Sequence, residues 1–145
     1  PGDVVKAQWA ADHAAIKEEL SKGIQGDADS LFGNLFSLEW YEEVMGVLRL
    51  NVFRLPPLFG EDTGVGGSAL FILASLLNHS CAPNVGVAFG PGGVITLTAT
   101  ADVAANEELC ISYVDDLDVP VADRKDLLLS RYGFECGCAR CVAQQ

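Results

Sequence analysis

The sequence predicts an α+β fold in which helices come first, a β-rich region follows, and a helix with a metal-binding segment ends the chain. Three observations support this class. Apolar residues recur at helical spacing before residue 50, glycine-rich turns separate strand-like runs after Gly64, and cysteines cluster near the C-terminus.

The composition fits one compact domain. The chain has 145 residues, of which 50% are hydrophobic and 20% are charged, and this is enough for one core of ordinary size. The 9 Lys and Arg residues against 20 Asp and Glu residues give a net charge of −11. Nucleic-acid phosphates require clustered cations, so we expect no direct nucleic-acid binding. The acidic charge weakly favours a basic peptide as partner.

The sequence shows no membrane or secretion signal. No apolar run approaches the roughly 18 residues of a transmembrane helix. The N-terminal residues PGDVVKAQWA lack the basic and apolar regions of a signal peptide. We therefore expect an intracellular protein of the cytoplasm, the nucleus or both, with no membrane contact. Because the chain begins with Pro1 rather than Met, we interpret it as a fragment or a processed product.

Two helices are predicted in the N-terminal region. Asp3 is a candidate N-cap for a helix that ends near Gly23, and its apolar stripe consists of Val5, Trp9, Ile16 and Leu20. The segment GDADS then interrupts the pattern. A second helix is predicted from Ser37 to about Leu50, with a core-facing stripe of Leu38, Tyr41, Met45 and Leu48.

Turn signals predict strands in the second half. The runs NVGVAF and VITLTAT flank FGPGG, which predicts a hairpin that turns between Gly90 and Gly93. A further strand fits ELCISYV. Pro120 then begins a helix, and Gly133 ends it as the residue type that most often forms a left-handed cap.

Residues 75–84, SLLNHSCAPN, form the first candidate site. They follow the apolar run ALFILA, which we expect to be buried in a strand or a helix. Nearly uncharged hydrogen-bonding and metal-binding groups at the end of an apolar segment are typical of a binding site. The competing interpretation is an ordinary turn whose amides are satisfied locally.

The cysteines predict a metal centre. Cys136, Cys138 and Cys141 form a C-x-C-x2-C cluster, and such spacing lets three thiolates converge on one ion. Tetrahedral zinc needs a fourth ligand. Cys110 lies between Leu and Ile in a predicted strand, where a thiol behaves as a small hydrophobic group, so Cys81 is the better candidate.

A set of disulfides is the alternative to a metal. The chain has five cysteines, an odd number, and the two thiols of a C-x-C pair are too close for easy bridging. A metal that joins Cys81 to the C-terminal cluster would hold the tail against the NHSC segment and build a cavity between them.

Three motifs together resemble a known family: LLNHSCAPN, NEELCISYVD and RKDLLLSRYGFECGCARC. They are similar, in order and spacing, to the C-terminal half of a SET domain and its cysteine-rich post-SET segment. The closest resemblance is to the SET-and-MYND (SMYD-like) protein lysine methyltransferases. It implies a β-rich, partial SET-type fold in one structural domain, with residues 1–50 as a helical insert, 51–119 as the C-terminal SET core and 120–145 as the helix and post-SET zinc segment.

The resemblance also implies a function, the transfer of a methyl group from S-adenosylmethionine to a lysine side-chain amine in a protein or peptide. It assigns Tyr113 to the transferring methyl as the catalytic residue. The implied cofactor contacts are Asn51, Asn78, His79 and Phe134. The lysine channel would be lined by Phe53 and Tyr132. One structural Zn²⁺ would be held by Cys81, Cys136, Cys138 and Cys141.

Simpler interpretations exist for three of these residues. Tyr113 after a strand is more often a core or surface aromatic than a catalytic group. His79 alone is more often a hydrogen-bonded structural histidine than a base, and we assign it to cofactor binding and loop shaping. Phe134 is also the hydrophobic contact that commonly follows a glycine helix cap.

The chain departs from the family in one respect. The N-terminal SET strands and their glycine-rich stretch are not found, so they would come from the parent chain or from another chain. The alternative function is therefore a degenerate, non-catalytic SET module that serves as a structural or protein-interaction subunit of a larger assembly.

Overall fold

The structure, a computed structural model, describes residues 2–23, 33–56 and 67–144. Its helices are α1 (Asp3–Gly23), α2 (Leu38–Asn51), α3 (Val121–Tyr132) and α4 (Ala139–Ala143). Its strands are β1 (Val52–Leu55), β2 (Gly67–Leu70), β3 (Asn78–His79), β4 (Val85–Gly90), β5 (Val94–Ala99) and β6 (Cys110–Ile111). The mixture of helices and strands confirms the predicted α+β class.

The chain divides into two compact units, Pro1–Leu50 and Asn51–Gln145. The three segments expected from the sequence, and their union in one domain, stay predictions. The interrupting segment GDADS lies outside the described residues.

The first unit contains α1 and most of α2. The backbone carbonyl of Gly2 accepts the N–H groups of Val5 and Lys6 at 3.0 and 3.3 Å, so the helix begins one residue earlier than expected. Asp3 therefore lies in the first turn, where its carboxylate favours the positive end of the helix dipole.

Helix α2 begins at a serine cap. The Oγ of Ser37 accepts the backbone N–H of Trp40 at 3.1 Å, which satisfies one of the free N–H groups at a helix start. Within the first unit, the ring of His13 stacks on Phe36 at 4.8 Å, and its Nε2 donates to the Phe36 carbonyl at 2.9 Å. The ring of Tyr41 lies 5.5 Å from His13, so aromatic contacts join α1 to α2.

The second unit is built on three two-stranded sheets within its described residues. β4 and β5 form the predicted hairpin, in which Gly92 adopts a left-handed φ of 73° that residues with a Cβ rarely adopt. β1 pairs antiparallel with β2, and β3 pairs in parallel with β6. The strand predicted over the seven residues ELCISYV is β6, which is only two residues long. After it, the Oγ of Ser112 donates to the Val114 carbonyl and accepts the Val114 N–H, and this local turn ends the strand.

The prediction of burial for the run ALFILA is wrong for three of its large residues, of which Leu70, at the end of β2, is 47% exposed. Strand β2 ends at Leu70, and the chain then turns. Ile72 and Leu73 in this turn are 72% and 76% exposed, whereas the small Ala74 is buried. The turn directs the larger side chains outward because alternation between two faces ends with the strand.

Helix α3 has the ends that the sequence predicts. Pro120 is its N-cap and Gly133 its left-handed C-cap, with φ of 79°. The N–H of Gly133 donates to the carbonyls of Leu128 and Leu129 at 3.1 and 3.0 Å. Leu128 is fully buried in a core that also contains Val114, Cys81, Cys136 and Cys141, so α3 packs directly on the cysteine cluster.

Asn84 joins three segments of the second unit. Its Nδ2 donates to Glu107 Oε1 at 3.0 Å and to the Glu108 carbonyl at 2.9 Å. Its Oδ1 accepts the N–H of Cys110 at 2.8 Å. Its own carbonyl accepts the N–H of Thr100 at 2.9 Å. The side chain therefore fixes the segment that leads into β6 beside the start of β4.

We expect Asn84→Ala to lower the free energy of unfolding by about 1–3 kcal/mol, because side-chain hydrogen bonds contribute roughly 0.5–1.5 kcal/mol each. Urea unfolding of the second unit is the measurement. Ser130→Ala is the control, since its hydroxyl bonds only the local Leu127 carbonyl on an exposed helix face, and we expect a change within about 0.5 kcal/mol. Equal effects of the two substitutions would contradict the role of Asn84.

Candidate active site and metal centre

The parallel pair of β3 and β6 brings two sequence motifs together. Asn78 pairs with Cys110 and His79 pairs with Ile111. The N–H of Ser80 continues the ladder by donating to the Ile111 carbonyl at 3.0 Å. Because the strands run in the same direction, the residues that follow them emerge at the same end. The segment after the NHSC motif is thereby placed beside the segment that contains Tyr113.

The ring of His79 bridges these two segments. Its Nδ1 accepts the backbone N–H of Tyr113 at 2.9 Å, and its Nε2 lies 3.2 Å from the Sγ of Cys81. Because Nδ1 is an acceptor, Nε2 carries the proton and donates it to sulfur. Burial lowers the pKa of His79, and the charge of Arg124 adds to this effect, so the imidazole is neutral at pH 7. Both ring nitrogens are used inside the protein.

Tyr113 is held at both its backbone and its hydroxyl. The hydroxyl donates to the Leu77 carbonyl at 2.7 Å. Burial raises the pKa of Tyr113, with smaller contributions from Tyr132 and Cys110, so the phenol stays protonated at neutral pH. The oxygen thus retains lone pairs as acceptors, and the group is suited to orient a reactant rather than to remove a proton.

Tyr113 lies in a group of four rings. Its centroid is 4.8 Å from that of Tyr132, 5.4 Å from that of His79 and 6.4 Å from that of Phe134. The glycine cap of α3 turns the chain between Tyr132 and Phe134, and this brings Phe134 to 6.1 Å from His79. The aromatic group therefore joins the ends of β3, β6 and α3.

Phe53 belongs to a different ring cluster. It contacts Phe71 at 5.9 Å and Phe89 at 6.3 Å. Among the described residues, no ring contact joins this cluster to the group around Tyr113. The structure thus brings together Tyr132 and Tyr113 but not Phe53.

The two candidate asparagines differ in their settings. Asn78 is exposed, and its Nδ2 donates to Glu108 Oε1 at 2.7 Å. This bond fixes the orientation of the amide, and the amide oxygen is available to accept a hydrogen bond from a ligand. Asn51 is the last residue of α2, directly before β1. Glu108 was not predicted from the sequence as a site residue, although the acidic pair in NEEL lies directly before a predicted strand.

The four selected cysteines meet in one place. The Sγ atoms of Cys81, Cys136, Cys138 and Cys141 lie within 4.8 Å of one another. Cys81 is 3.5 Å from Cys141 and 3.9 Å from Cys136 between sulfurs. Ligands at about 2.3 Å from a tetrahedral zinc would be roughly 3.8 Å apart. The donor set fits zinc, and Cys110 in β6 is not part of it.

Without a metal the thiols of Cys81 and Cys138 differ in acidity. Burial raises the pKa of Cys81 to about 12, and its hydrogen bond with Cys141 adds to this. At Cys138, burial also acts to raise the pKa, but hydrogen bonds from the N–H groups of Cys141 and Cys81 lower it to about 6. A metal would displace the remaining protons, since only thiolates are ligands.

Residues 12–114 match the family model described as SET domain. The chain belongs to the SET domain family. It is 27% identical over 143 residues to the "SET and MYND domain-containing protein DDB_G0292454" of Dictyostelium discoideum, covering 93% of this chain. It is 40% identical over 88 residues, 59% of this chain, to "Protein-lysine N-trimethyltransferase SMYD5" of Gallus gallus. It is also 42% identical over 85 residues, again 59% of this chain, to "N-lysine methyltransferase SMYD2-A" of Xenopus laevis.

These relatives make the chain a SMYD-like SET domain protein, as the sequence motifs predict. The chain spans 40% of the Dictyostelium protein, 21% of the chicken protein and 19% of the Xenopus protein. Among the described residues, no helix combines the length and apolar character needed to cross a membrane.

We expect Cys81→Ser to abolish stoichiometric zinc binding and Cys110→Ser to leave it intact, because only the first removes a sulfur from the cluster. Metal analysis of the purified proteins is the measurement. Cys138→Ser should release the metal as well and destabilise the tail by several kcal/mol as an order of magnitude. Loss of zinc from Cys110→Ser with retention in Cys81→Ser would refute the ligand assignment.

Proposed function

We propose that this SET domain chain is part of an S-adenosylmethionine-dependent protein-lysine N-methyltransferase, which transfers a methyl group to a lysine side-chain amine. The observation that carries the proposal is the double hold on Tyr113, through His79 at its backbone and Leu77 at its hydroxyl. Such a hold fits a residue that must be placed accurately beside a reacting atom. Relatives named as lysine methyltransferases add support.

Asn78 in β3 and Phe134, which follows α3, have side chains suited to bind the cofactor. Glu108 orients the Asn78 amide, and Phe134 offers a half-buried ring for stacking on adenine. We assign these two residues to cofactor binding, together with His79 and Asn51. Because both ring nitrogens of His79 are already bonded, its contact would come from its backbone or its ring face.

When bound, S-adenosylmethionine supplies a methyl group on a positively charged sulfur that an uncharged amine attacks in line. The chain's own task is then alignment. Tyr113 donates its proton to Leu77 and presents its lone pairs to the amine or the methyl. Aromatic walls hold the aliphatic stem of lysine and disfavour its ammonium form by desolvation. Tyr132 is one such wall, supported by its contact with Tyr113, and Phe53 is assigned by resemblance.

One structural zinc on the four cysteines would hold the tail that carries Phe134 against the NHSC segment. Reduced thiols are maintained in the cytoplasm and nucleus, and a location there accords with five free cysteines. The proposed partner is a lysine-containing protein or peptide. The N-terminal SET strands are proposed to come from the parent chain or from another chain.

Calorimetric titration with S-adenosylmethionine tests the division of the cofactor site. We expect weak or no binding to these 145 residues and clear binding to a longer protein made by adding N-terminal SET strands, because each part lacks the other's contacts. Tight binding to the shorter chain would show that the retained residues suffice.

In the longer protein, Tyr113→Phe should lower methyl transfer about ten- to a thousandfold with little loss of cofactor affinity, since one hydrogen bond made mainly in the transition state is worth roughly 1.5–4 kcal/mol in a dry site. Phe134→Ala should mainly weaken cofactor binding. A radiolabelled-methyl assay and calorimetry measure the two effects.

Tyr41→Phe is the matched control, because Tyr41 packs in the helical unit against Phe36, and we expect full activity. If Tyr113→Phe is as active as the parent, Tyr113 is a core aromatic. If the longer protein neither binds the cofactor nor transfers methyl, the chain is a non-catalytic SET scaffold.

A further inference from the structure

Arg124 is a charged side chain buried beside the cysteine cluster. It lies in the first turn of α3 and is 1% exposed, with Leu128 buried one turn later. A guanidinium is always charged, and burial of a charge requires a counter-charge or hydrogen bonds. Within the described residues, no carboxylate lies at salt-bridge distance from Arg124. Its compensation must come from other groups.

The surroundings of Arg124 are backbone carbonyls and sulfur. Its Nη1 donates to the carbonyls of Leu117, at 3.2 Å, and Val119. Its Nη2 donates to Gln144 Oε1 and lies 4.0 Å from the Sγ of Cys141. The charge of Arg124 also interacts electrostatically with the Cys81 thiol. Its Nε has no partner in the described part of the chain. Among the described residues that contact Arg124, the groups that can carry negative charge are therefore thiolates.

The charge of a loaded cluster matches this arrangement. Four thiolates around one divalent ion carry a net charge of about −2, taken as the sum of formal charges. Three of the four cysteines are buried and Cys138 is half-buried, so water screens that charge only in part. A guanidinium at 4.0 Å from the Cys141 sulfur would offset part of the charge and would itself be compensated.

We propose that Arg124 is the built-in counter-charge of the cysteine cluster, a positioning residue that stabilises the metal-bound tetrathiolate through Cys141 and Cys81. This inference rests on the proposed zinc site. It also adds a structural role to the site. Arg124 donates hydrogen bonds to Gln144 and to the backbone carbonyls that precede α3, so its side chain would connect the metal centre, helix α3 and the segment after the cysteines.

Arg140 provides a matched control. It too bonds backbone carbonyls, with Nη1 at 3.1 Å from the Cys81 oxygen and Nη2 at 2.8 Å from the Leu117 oxygen. It is partly exposed, however, and pairs with Asp118 at 3.6 Å. Loss of Arg140 removes backbone bonds near the cluster without removing a cation from the sulfurs.

The test uses the purified chain loaded with zinc or with cobalt(II), whose sulfur-to-metal charge-transfer band reports the electron density on the thiolates. We expect Arg124→Met to weaken zinc affinity about ten- to a hundredfold in chelator competition, as outer-sphere partners of metal ligands commonly do. The cobalt band should move to lower energy, since thiolates without a nearby cation are stronger donors. Arg140→Met should leave the band unchanged.

Several results would overturn the assignment. An unshifted band and unchanged affinity in Arg124→Met would do so, as would an equal shift in Arg140→Met. If Arg124→Met does not fold, Arg124→Lys decides, because it retains the cation and should stay within about tenfold of the parent affinity. A lysine variant that loses metal as completely as Cys141→Ser would refute the charge role. A parent chain that binds neither ion would refute the zinc site itself, and the assignment with it, whatever the outcome for methyl transfer.

Discussion

The convergence of four cysteines is the constraint on which the rest of the second unit depends. Cys81 contacts Cys136 and Cys141 across separations of 55 and 60 residues. Closing such a loop costs chain entropy that grows only slowly with length, and a buried metal with four thiolates supplies a strong compensating interaction. Leu128 and Val114 are the buried aliphatic members of this core, and partly buried residues such as Leu117, Leu127 and Phe134 pack against it. Cysteines are three of its five buried residues, so the proposed metal would add a direct bond between distant segments to these apolar contacts.

The side chain of His79 connects the cysteine cluster to the proposed reaction centre by hydrogen bonds. His79 donates to the sulfur of Cys81 from one nitrogen and accepts from the backbone of Tyr113 at the other. A donor to a metal-bound sulfur is oriented by the metal, so the ring cannot rotate without losing both bonds. The position of Tyr113 thus follows from the position of Cys81. The proposed structural metal and the proposed catalytic tyrosine would in this way be parts of one rigid arrangement.

The sequence predicted the elements whose signals are local. The hairpin at Gly90 to Gly93 and the α3 caps at Pro120 and Gly133 were found because turn and cap residues act within a few positions. The prediction of Cys81 as the fourth ligand agrees with the observed cluster. It too relied on a local signal, because the apolar neighbours of Cys110 indicated that this other cysteine is not a ligand. The role of Arg124 was not visible, because a helix residue of either charge is usually exposed and only the distant cysteines give it a reason to be buried.

The run ALFILA shows a case in which a local sequence signal predicts the wrong environment. Its apolar residues predicted burial, yet the strand ends at Leu70, and the bulky Ile72 and Leu73 lie exposed. Hydropathy states what a residue prefers on average, whereas a turn dictates where a particular side chain points. The separation of Phe53 from the rings around Tyr113 has a similar origin, because the identity of a strand residue does not specify which ring cluster it joins.

The segment of residues 77–81 explains why polar residues follow that apolar run. The Leu77 carbonyl accepts the Tyr113 hydroxyl, Asn78 presents an oriented amide, His79 bridges, and Cys81 joins the cluster. Four different tasks fall on five neighbouring residues, and none of them can be done by a Lys or Glu side chain, which here would have to be buried or would compete for the same partners. A scaffold requires the sulfur and the bridge, but it has no use for an exposed amide fixed by Glu108. The oriented Asn78 therefore adds to the hold on Tyr113 as support for a cofactor site over a purely structural module.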